Sequence, residues 1–469
     1  MDKKKAVFAS PPNLSYSTVS PPMGLLYLAT VTKLSGRAVV IIDASALNYS
    51  IKTTVEKILD EHPDYLALTA VTLTIAEAAK IAGEIKTTLP NTTIIIGGHH
   101  LTALPEETMD KYPQFDVGVV GEGEITIIEL LDVLDSGTGD LRSINGIIYR
   151  ENNQPIRTPP RERIKDLDVL PLPDWSLFPD LIKTYSAPPH VVDVYPSISF
   201  NSSRGCTGKC TFCSNAVFGN KLSHLSANRL FEIVQQLHND YGVKEVWIGD
   251  DNFLIFKKVL YEFSQLVIDS KLGMSFVCLG RIDTIKNKDE LILMKKAGFR
   301  QIWYGIESGD QRILNILKKE ITLEEIYKVI NWTYEAGIEP CGFFILGSPG
   351  ETKDSLDKTL KLSLDLKLQS ALASFMIPFP GSALYGNYDQ YGVLHSDNLD
   401  MFKPSFIPAG LDEETLVNYF KKFYRGFYLR PRIIWVYLKR LRKPHNIPVI
   451  FKGFLELIRK ITISGMSQS

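Results

Sequence analysis

The sequence predicts an α/β protein with three parts: a doubly wound sheet, then a complete or partial (β/α)6 barrel, then a helical C-terminal tail. Two stretches in which β-rich runs alternate with helical segments, residues 1–150 and 196–400, predict the first two parts. Continuous apolar strands between helices are typical of parallel sheets covered on both faces. The third part is indicated by charge, because 12 Lys and Arg residues and a single acid lie between Lys421 and Lys460.

The first region, residues 1–150, is predicted to form a doubly wound domain with helices at 51–62 and 74–90. Its buried strands are predicted at 37–43, 65–70, 92–98 and 115–121. Ligands of open α/β sheets bind beyond the carboxyl ends of the strands. The glycines at 97–98 and 121–123 would let the backbone approach a large ligand closely there. A GxGxxG phosphate loop is absent, so an ordinary dinucleotide site is not expected.

A proline-rich connector, residues 151–195, marks a domain boundary by its extended composition. Residues 196–400 then return to βα alternation. Strand candidates lie at 197–205, 245–253, 274–283, 301–309, 339–350 and 374–382. The active site of a barrel lies at the C-terminal ends of its strands. The polar and glycine residues predicted at those ends are Arg204, Asp250, Arg281, Glu307, Gly347 and Gly381.

Composition fits an ordinary globular chain of 469 residues, of which 45% are hydrophobic and 22% charged. No run of 18 uncharged apolar residues predicts a membrane span. The charged start, MDKKK, lacks the apolar region of a signal peptide. Three of the five cysteines are clustered, which suits a reducing compartment and a metal or cluster site rather than a disulfide scaffold. The cytoplasm is therefore the expected location.

The clustered cysteines, Cys206, Cys210 and Cys213, have the spacing CxxxCxxC. Thiolates suit zinc and iron–sulfur clusters. A structural zinc site would need a fourth ligand nearby, and the next histidine downstream is His224. Three thiolates can instead hold three irons of a [4Fe–4S] cluster and leave one iron open. Zinc, or a chance spacing, stays an alternative on this motif alone.

The surrounding motifs resemble those of the radical S-adenosylmethionine (SAM) enzymes. The resemblance lies in the cysteine spacing after a strand, in Phe212 before the last cysteine, and in the segments GIESG (305–309) and FFILGSPGET (343–352). It implies that the open iron chelates SAM and that SAM is cleaved to a 5′-deoxyadenosyl radical. The implied SAM contacts are Phe212, Asp250, Arg281, Glu307, Ser308 and Gly347. The segment GDDNF (249–253) stands where this family usually has the sequence GGE, at the strand end near the SAM amino group.

Two of these contacts have a structural alternative. Arg281 either binds the SAM carboxylate, which suits a guanidinium, or pairs with Asp250 or Asp283. Glu307 either contacts SAM or belongs to an internal ion pair. Cys278 and Cys341 lie in apolar strands and are expected to be core residues.

The first region, with PPMGLLYLAT (21–30), IIIGGHHLTALPEE (94–107) and VVGEGE (119–124), resembles the Rossmann-like domain of cobalamin-binding radical SAM enzymes. That group includes anaerobic Mg-protoporphyrin monomethyl ester cyclase-like and hopanoid-associated proteins. The resemblance implies a cobalamin held between this domain and the barrel. The implied contacts are Thr69, Val71, Thr72, Gly97, Gly98, Glu122 and Gly123. In methionine-synthase-like domains, a DxHxxG loop after the first strand supplies a histidine ligand to cobalt. The loop compared with it here, Asp43–Asn48, contains no histidine. Loss of this ligand is frequent in the subgroup, but it also fits a domain that has lost cobalamin.

The resemblance implies methylation of an unactivated carbon, with a lipid or isoprenoid-like substrate suggested by the tail. A radical cyclisation, oxidation or carbon–carbon coupling is the alternative reaction. An iron–sulfur electron relay or sensor is the alternative of another class. Expected partners are a small-molecule or lipid substrate and a flavodoxin or ferredoxin as reductant, but not nucleic acid.

The tail, within residues 401–469, interleaves aromatic and aliphatic residues with its basic ones. Such a helix can lie on an anionic membrane surface. The alternative is a helical cap that packs on its own domain and keeps its charges in water.

Overall fold

The computed structural model describes residues 4–12, 20–137, 139–185, 194–395, 399–441 and 446–462. Residues 186–193 of the predicted connector, and 442–445 and 463–469 of the predicted tail, lie outside these ranges. The chain divides into two compact units, residues 1–186 with 214–224 and residues 187–213 with 225–469.

The N-terminal unit is built on a seven-stranded sheet with the order β2-β1-β3-β4-β5-β6-β7. Its strands are β1 (Ala6–Ser10), β2 (Val39–Asp43), β3 (Tyr65–Thr69), β4 (Thr93–Gly97), β5 (Val117–Val119), β6 (Ile147–Glu151) and β7 (Gln154–Arg157). Its helices are α1 (Met23–Leu34), α2 (Ile51–Asp60), α3 (Ile75–Thr88), α4 (His99–Ala103), α5 (Pro105–Lys111), α6 (Glu124–Ser136) and α7 (Leu181–Thr184).

The first five strands of this sheet are parallel, which confirms the predicted doubly wound architecture. The four predicted strands and both predicted helices are present. A core of aliphatic side chains, including Ile58, Ile81 and Ile96, fills the space between sheet and helices. The antiparallel hairpin β6–β7 extends the sheet at one edge. Residue 150, the predicted end of the first domain, lies within β6, and the limits of the four predicted regions stay a prediction.

The structure corrects the position of the loop that was compared with DxHxxG. That loop follows the first strand in methionine-synthase-like domains, and the first strand here is β1, which the sequence did not reveal. The loop after β1 is therefore residues 11–22, and Asp43–Asn48 follows the second strand. Residues 11–22, PPNLSYSTVSPP, also contain no histidine, although 13–19 lie outside the described residues.

Asp43, at the end of β2, has a hydrogen-bond partner at each carboxylate oxygen. Its carboxylate accepts hydrogen bonds from Ser10 Oγ at 2.6 Å and from the Tyr185 hydroxyl at 2.9 Å. Both contacts lie inside the N-terminal unit, so Asp43 joins β1, β2 and the chain segment after α7.

The second unit contains a six-stranded parallel sheet with the order β15-β14-β13-β12-β11-β8. Its six strands are β8 (Ser197–Phe200), β11 (Glu245–Ile248), β12 (Ser275–Gly280), β13 (Phe299–Glu307), β14 (Glu339–Leu346) and β15 (Ser370–Phe375). Four short strands form two further two-stranded sheets. They are β9 (Ser203–Arg204), β10 (Ser223–His224), β16 (Gly392–Leu394) and β17 (Phe406–Pro408). Of these, β10 belongs to the N-terminal unit.

The helices of the second unit follow the strands in βα order. They are α8 (Ala227–Tyr241), α9 (Lys257–Ser270), α10 (Lys288–Lys296), α11 (Gln311–Ile316), α12 (Leu323–Glu335), α13 (Lys353–Asp365), α14 (Glu413–Tyr428), α15 (Pro431–Arg440) and α16 (Asn446–Thr462).

Each strand of the second sheet pairs with the next strand candidate along the chain, and β8 and β15 do not pair with each other. The sheet is therefore a half-barrel, which confirms the partial-barrel prediction. Its last strand was misplaced: the prediction was 374–382, whereas β15 ends at Phe375. Pro378 and Pro380 lack the backbone N–H that a paired strand needs, so the strand lies before them.

The two faces of the half-barrel differ. On one face, Tyr304 donates or accepts a hydrogen bond with Thr333 of α12 at 2.8 Å, and Phe276 packs on Phe263 of α9. Side chains alternate between faces along a strand, so Trp303 lies on the opposite face. There, Val277, Trp303 and Cys341 form a buried cluster, and half-buried Trp247, Leu279, Phe343 and Leu372 pack against it. This apolar face is called the concave face below.

The tail begins as a structural cap on the edge strand β15. The Tyr424 hydroxyl donates to the Ala373 carbonyl at 2.9 Å, and the Tyr428 hydroxyl donates to the Ala371 carbonyl at 2.7 Å. Both tyrosines project from α14, one helical turn apart. They satisfy carbonyl groups that an edge strand would otherwise expose. In α15, buried Arg440 bonds Glu339 at 2.8 Å.

Further along the tail, large apolar side chains remain exposed. Trp435 of α15 is 53% exposed, and Phe451 and Phe454 of α16 are 60% and 54% exposed. Within the described part of the chain, none of the helices has the length and apolar content needed to cross a bilayer.

Candidate cluster and cofactor sites

The three clustered cysteines lie on the loop after β9, beyond the C-terminal end of the half-barrel's first strand. The loop is held by its own backbone: the Cys213 N–H donates to the Cys210 carbonyl at 3.2 Å. The Thr211 N–H donates to the Leu317 carbonyl at 3.0 Å. The loop is thus tied to the segment after β13. The Gly208 N–H points to Cys206 Sγ at 3.4 Å, a contact that would favour a thiolate.

Arg281, just past β12, links this loop to the segment after α11. Its Nη1 lies 3.3 Å from Cys210 Sγ, its Nη2 donates to the Lys319 carbonyl at 2.7 Å, and its Nε bonds Asp283 at 2.9 Å. A Cβ on Gly208 would lie 2.8 Å from Nη1, so a larger residue there would force the guanidinium to shift. The pairing with Asp283 that was kept as an alternative is present. Contact with the SAM carboxylate stays a prediction.

The sequence did not single out Lys319, yet it is the second cation of the site. Its Nζ lies 2.7 Å from Glu307 Oε1, and both side chains are only 7% exposed. Glu307 ends β13 with a φ of 66°, and Lys318 and Glu320 flank the lysine with φ of 50° and 56°. Left-handed backbone at non-glycine residues is costly and clusters at functional sites. Three such residues around one ion pair were the structural signal that no sequence pattern carried.

The glycine before this pair is as constrained as the pair itself. A Cβ at Gly305 would lie 2.5 Å from Glu307 Oε1 and 2.6 Å from Lys319 Nζ. The contact between Lys319 and Glu307 is the internal ion pair that was the alternative role of Glu307. Its predicted contact with SAM stays a prediction.

The residues fit a thiolate-held cluster better than a single metal ion. Among the described residues, no three Cys, His, Asp or Glu side chains converge on one ion. A [4Fe–4S] cluster does not require such convergence, because each thiolate binds a different iron. Positive charge stands ready to offset the thiolates, since Cys210 interacts electrostatically with both Arg281 and Lys319.

Two of the three thiols, Cys206 and Cys213, are not poised as free thiolates. Burial raises the pKa of Cys206, and it raises the pKa of Cys213 to about 12. Iron, rather than the protein alone, must therefore drive the loss of these protons.

Asp250 is fully buried just past the end of β11, and its carboxylate is hydrogen-bonded within the protein. It accepts hydrogen bonds from the Ser202 N–H and hydroxyl, both at 2.6 Å, and from the Ser203 N–H at 3.0 Å. These bonds fix the turn that leads into the cysteine loop. The predicted contact between Asp250 and SAM stays a prediction.

Phe212 and Ser308 are similarly engaged. Phe212 packs against a cluster that includes Ile313, Leu317 and Phe406. The Ser308 hydroxyl lies 3.2 Å from the Thr359 hydroxyl of α13 and accepts from the Asp310 N–H. Both residues therefore support neighbouring elements, and their predicted contacts with SAM stay predictions.

Gly347, with a φ of 83°, begins a tight turn after β14 that is held by buried Glu351. The Glu351 carboxylate accepts from the N–H groups of Gly347 and Ser348. Burial outweighs these bonds and raises the Glu351 pKa to about 8.

The pKa of Glu351 predicts how stability depends on pH. Because the folded-state pKa lies above the ordinary value near 4.5, the folded chain holds this proton more tightly. The free energy of unfolding should therefore fall as pH rises from about 4.5 to 8. Glu351→Gln, whose amide oxygen can still accept both N–H bonds, should flatten this dependence. Urea unfolding of both chains between pH 5 and 8 measures it; parallel slopes would contradict the prediction.

The predicted cobalamin contacts share one edge of the N-terminal sheet. Thr69 ends β3 and Gly97 ends β4, directly opposite each other in register. Val71, just past β3, is 42% exposed, and an exposed valine suits the apolar edge of a macrocycle. Thr72 Oγ1 lies 3.2 Å from His100 Nδ1, and burial lowers the His100 pKa to about 4. His100 is therefore neutral and turned toward Thr72.

Two other predicted contacts have structural partners. Glu122 accepts from the Ile164 N–H at 2.8 Å and pairs with Arg163 at 3.6 Å. A Cβ on Gly123 would lie 3.0 Å from Leu28. By contrast, Gly121 has a φ of 85° and no atom within 4 Å of its would-be Cβ. The edge thus has open space at Gly121 and an exposed apolar side chain at Val71, which fits a large cofactor such as cobalamin.

Gly98 is the residue of this edge whose replacement should do most harm. Its φ is 103°, and a Cβ would lie 2.6 Å from the Ala70 carbonyl and 2.9 Å from Thr69 Oγ1. Gly98→Ala should lower the free energy of unfolding of this unit by about 1–3 kcal/mol and weaken corrinoid binding. The matched control is Gly97→Ala, whose Cβ would lie 3.7 Å from its nearest atom. Equal urea midpoints for the two variants would contradict the assignment.

Two protein families match this chain, one in each half. Residues 200–363 match the radical SAM superfamily and residues 12–131 match the B12 binding domain. The chain is 32% identical to "Uncharacterized methyltransferase PH0819" of Pyrococcus horikoshii over 426 residues, which is 89% of this chain and 90% of that protein.

A second relative is the "Anaerobic magnesium-protoporphyrin IX monomethyl ester cyclase" of Rubrivivax gelatinosus. It is 28% identical over 443 residues, 93% of this chain and 79% of that protein. Among solved structures, OxsB, titled a "Cobalamin-dependent S-adenosylmethionine radical enzyme", shares the fold with a TM-score of 0.72. It is 16% identical, and the match covers 96% of this chain and 72% of OxsB.

The relationship to the Pyrococcus protein extends across both units and far beyond the cysteine motif. The chain therefore belongs to the radical SAM superfamily, as an enzyme with an N-terminal B12 binding domain whose cofactors are a [4Fe–4S] cluster, SAM and cobalamin.

Proposed function

We propose that this enzyme methylates an unactivated carbon of an apolar substrate. The observation that carries the proposal is that one chain combines the cysteine loop, with its two cations, and a B12 binding domain. When bound, the cluster would supply the electron for SAM cleavage, and cobalamin would carry the methyl group. The relative from Pyrococcus, named a methyltransferase, supports this reaction.

The chain's own residues would hold and orient the reactants. Cys206, Cys210 and Cys213 would bind three irons, while Arg281 and Lys319 would offset the charge of the thiolates. The concave face, with Trp303 and Phe343, would exclude water from the radical and receive an apolar substrate. A one-electron reductant such as flavodoxin or ferredoxin would be the protein partner.

Radical cyclisation is the second candidate reaction. It is favoured by the likeness to the protoporphyrin ester cyclase over 93% of this chain. Cyclisation would require the same SAM cleavage but no lasting transfer of a methyl group, so the fate of that group separates the two reactions.

We further propose a peripheral contact with an anionic membrane surface from the cytoplasmic side. Exposed Trp435 and Phe451 and the excess of basic residues in the tail support it. Binding to phosphatidylglycerol vesicles that weakens with salt and with Trp435→Gln would bear it out; equal binding to neutral vesicles would refute the electrostatic part.

The reaction is tested with SAM that carries a deuterated methyl group. The reconstituted holoenzyme, loaded with hydroxocobalamin under anaerobic conditions, is reduced and mixed with the labelled SAM. Methylation predicts transfer of the deuterated methyl group to the corrinoid and a loss of transfer in Gly98→Ala. Transfer should persist in Gly83→Ala, a variant of a glycine in α3 with no atom within 4 Å of its would-be Cβ. Release of 5′-deoxyadenosine from a corrinoid-loaded chain without any methyl transfer would favour the cyclase reaction.

A further inference from the structure

A cavity of about 510 Å3 lies between the edge strand β15 and helices α14, α15 and α16. Its volume falls within the range of about 300–1,000 Å3 that is usual for small-molecule sites. Aliphatic and aromatic side chains line it, among them Leu372, Tyr428, Ile434, Leu438, Ile450 and Leu457. The name "tail cavity" is used for this site below.

The tail cavity offers a ligand little besides apolar surface. The hydroxyls of its two α14 tyrosines, Tyr424 and Tyr428, already bond the backbone of β15. A ligand that fills the cavity must therefore be mostly hydrocarbon, because a polar group there would lose its bonds to water without replacement. Leu372 lines the cavity and also packs on the cluster of the concave face, so the cavity adjoins that face at β15.

The part of the chain that supplies most of the cavity wall is rich in basic residues. Residues 415–455 contain ten Lys and Arg residues and no Asp or Glu. Leu429 lines the cavity, and Arg430 follows it directly. Arg430 donates to the Phe427 and Leu364 carbonyls, while its Nη2 has no hydrogen-bond partner among the described residues. Its neighbour Arg432 donates to the Leu368 carbonyl, so neither cation faces a carboxylate in these bonds.

We propose that the tail cavity binds the long aliphatic chain of an anionic amphiphile, with its carboxylate or phosphate at Arg430 and Arg432. Binding follows from the lining and the charge alone and does not depend on the reaction assigned above. The ligand is a single molecule, rather than a bilayer or a second copy of this chain.

The test uses 11-(dansylamino)undecanoic acid, whose fluorescence rises when its aliphatic part leaves water. Titrated below its micelle concentration into the full-length chain, it should bind at one saturable site. Its uncharged methyl ester should bind at least about fivefold more weakly, because the ester loses the charge-assisted contact. Binding without saturation, or equal affinity for acid and ester, would overturn the proposal.

Variants of the cavity wall test where the aliphatic chain of the ligand binds. Ile434→Glu and Leu438→Glu, at half-exposed positions of the cavity wall, should weaken binding at least about tenfold, since each brings a carboxylate against the apolar chain. The matched control is Ile292→Glu, at an exposed isoleucine of α10 that does not line the cavity; its affinity should be unchanged. Loss in the control alone would indicate a surface site. A concentration-dependent dimer that the wall variants abolish would identify a second copy as the occupant and would also overturn the proposal.

Discussion

Replacing Cys206, Cys210 or Cys213 by alanine should reduce the formation of 5′-deoxyadenosine from SAM by more than about a hundredfold, because the cluster carries the chemistry. Each thiolate binds one iron, so the loss of one thiolate exposes a second iron and destabilises the cluster. The measurement is anaerobic quantification of iron and of 5′-deoxyadenosine in the reconstituted variants.

A matched control separates this effect from the loss of a cysteine in general. Cys341→Ala removes a fully buried thiol that belongs to the strand cluster with Val277 and Trp303. This variant should keep its iron and its SAM cleavage. If Cys213→Ala retained both iron and cleavage at the level of Cys341→Ala, the assignment of the cluster ligands would be wrong.

Lys319→Met should lower the free energy of unfolding by about 3–5 kcal/mol, because removing one partner of a buried ion pair leaves an uncompensated charge. The uncompensated group is Glu307, held at an unfavourable φ at the end of β13. The affinity for SAM should fall as well, since the variant removes one of the two cations that interact with Cys210. Urea unfolding and equilibrium binding of SAM measure the two effects.

A double variant distinguishes charge from packing. In Glu307→Gln with Lys319→Met neither partner is charged, so most of the lost stability should return. Lys358→Met is the control on a more exposed lysine, whose ion pair with Asp310 should contribute far less to stability because water screens it. A double variant as unstable as Lys319→Met would indicate that the lysine stabilises the site by packing rather than by charge.

The candidate site was predictable where it follows from the geometry of parallel strands. Arg281, Glu307 and Gly347 could be placed together because the carboxyl ends of parallel strands meet at one edge of a sheet. The cysteine loop was predictable because its spacing is local. None of these inferences requires knowing how a side chain turns.

Lys319 could not be predicted because its position depends on a turn. It reaches Glu307 only because Lys318 and Glu320 adopt positive φ, and two lysines followed by a glutamate do not signal such a turn. The tyrosines that cover β15 were equally hidden. Their spacing of four residues on an amphipathic helix indicates one face but not the strand that the face contacts.

The errors in the strands have simple causes. β1 has only five residues and follows a run of lysines, so it offered little periodic pattern. The last barrel strand was predicted from the large apolar residues at 375–379, whereas the chain pairs the small residues of 370–375 before the prolines. Position relative to proline outweighed hydrophobicity there.

The central claim, that SAM binds the open iron of a cluster held by Cys206, Cys210 and Cys213, is tested most directly by paramagnetic resonance of the reduced holoenzyme. The spectrum is recorded with and without saturating SAM, under conditions in which iron analysis gives a full cluster. A spectrum that changes on addition of SAM is predicted. An identical spectrum, together with no 5′-deoxyadenosine, would contradict the claim and leave a relay or sensor in its place.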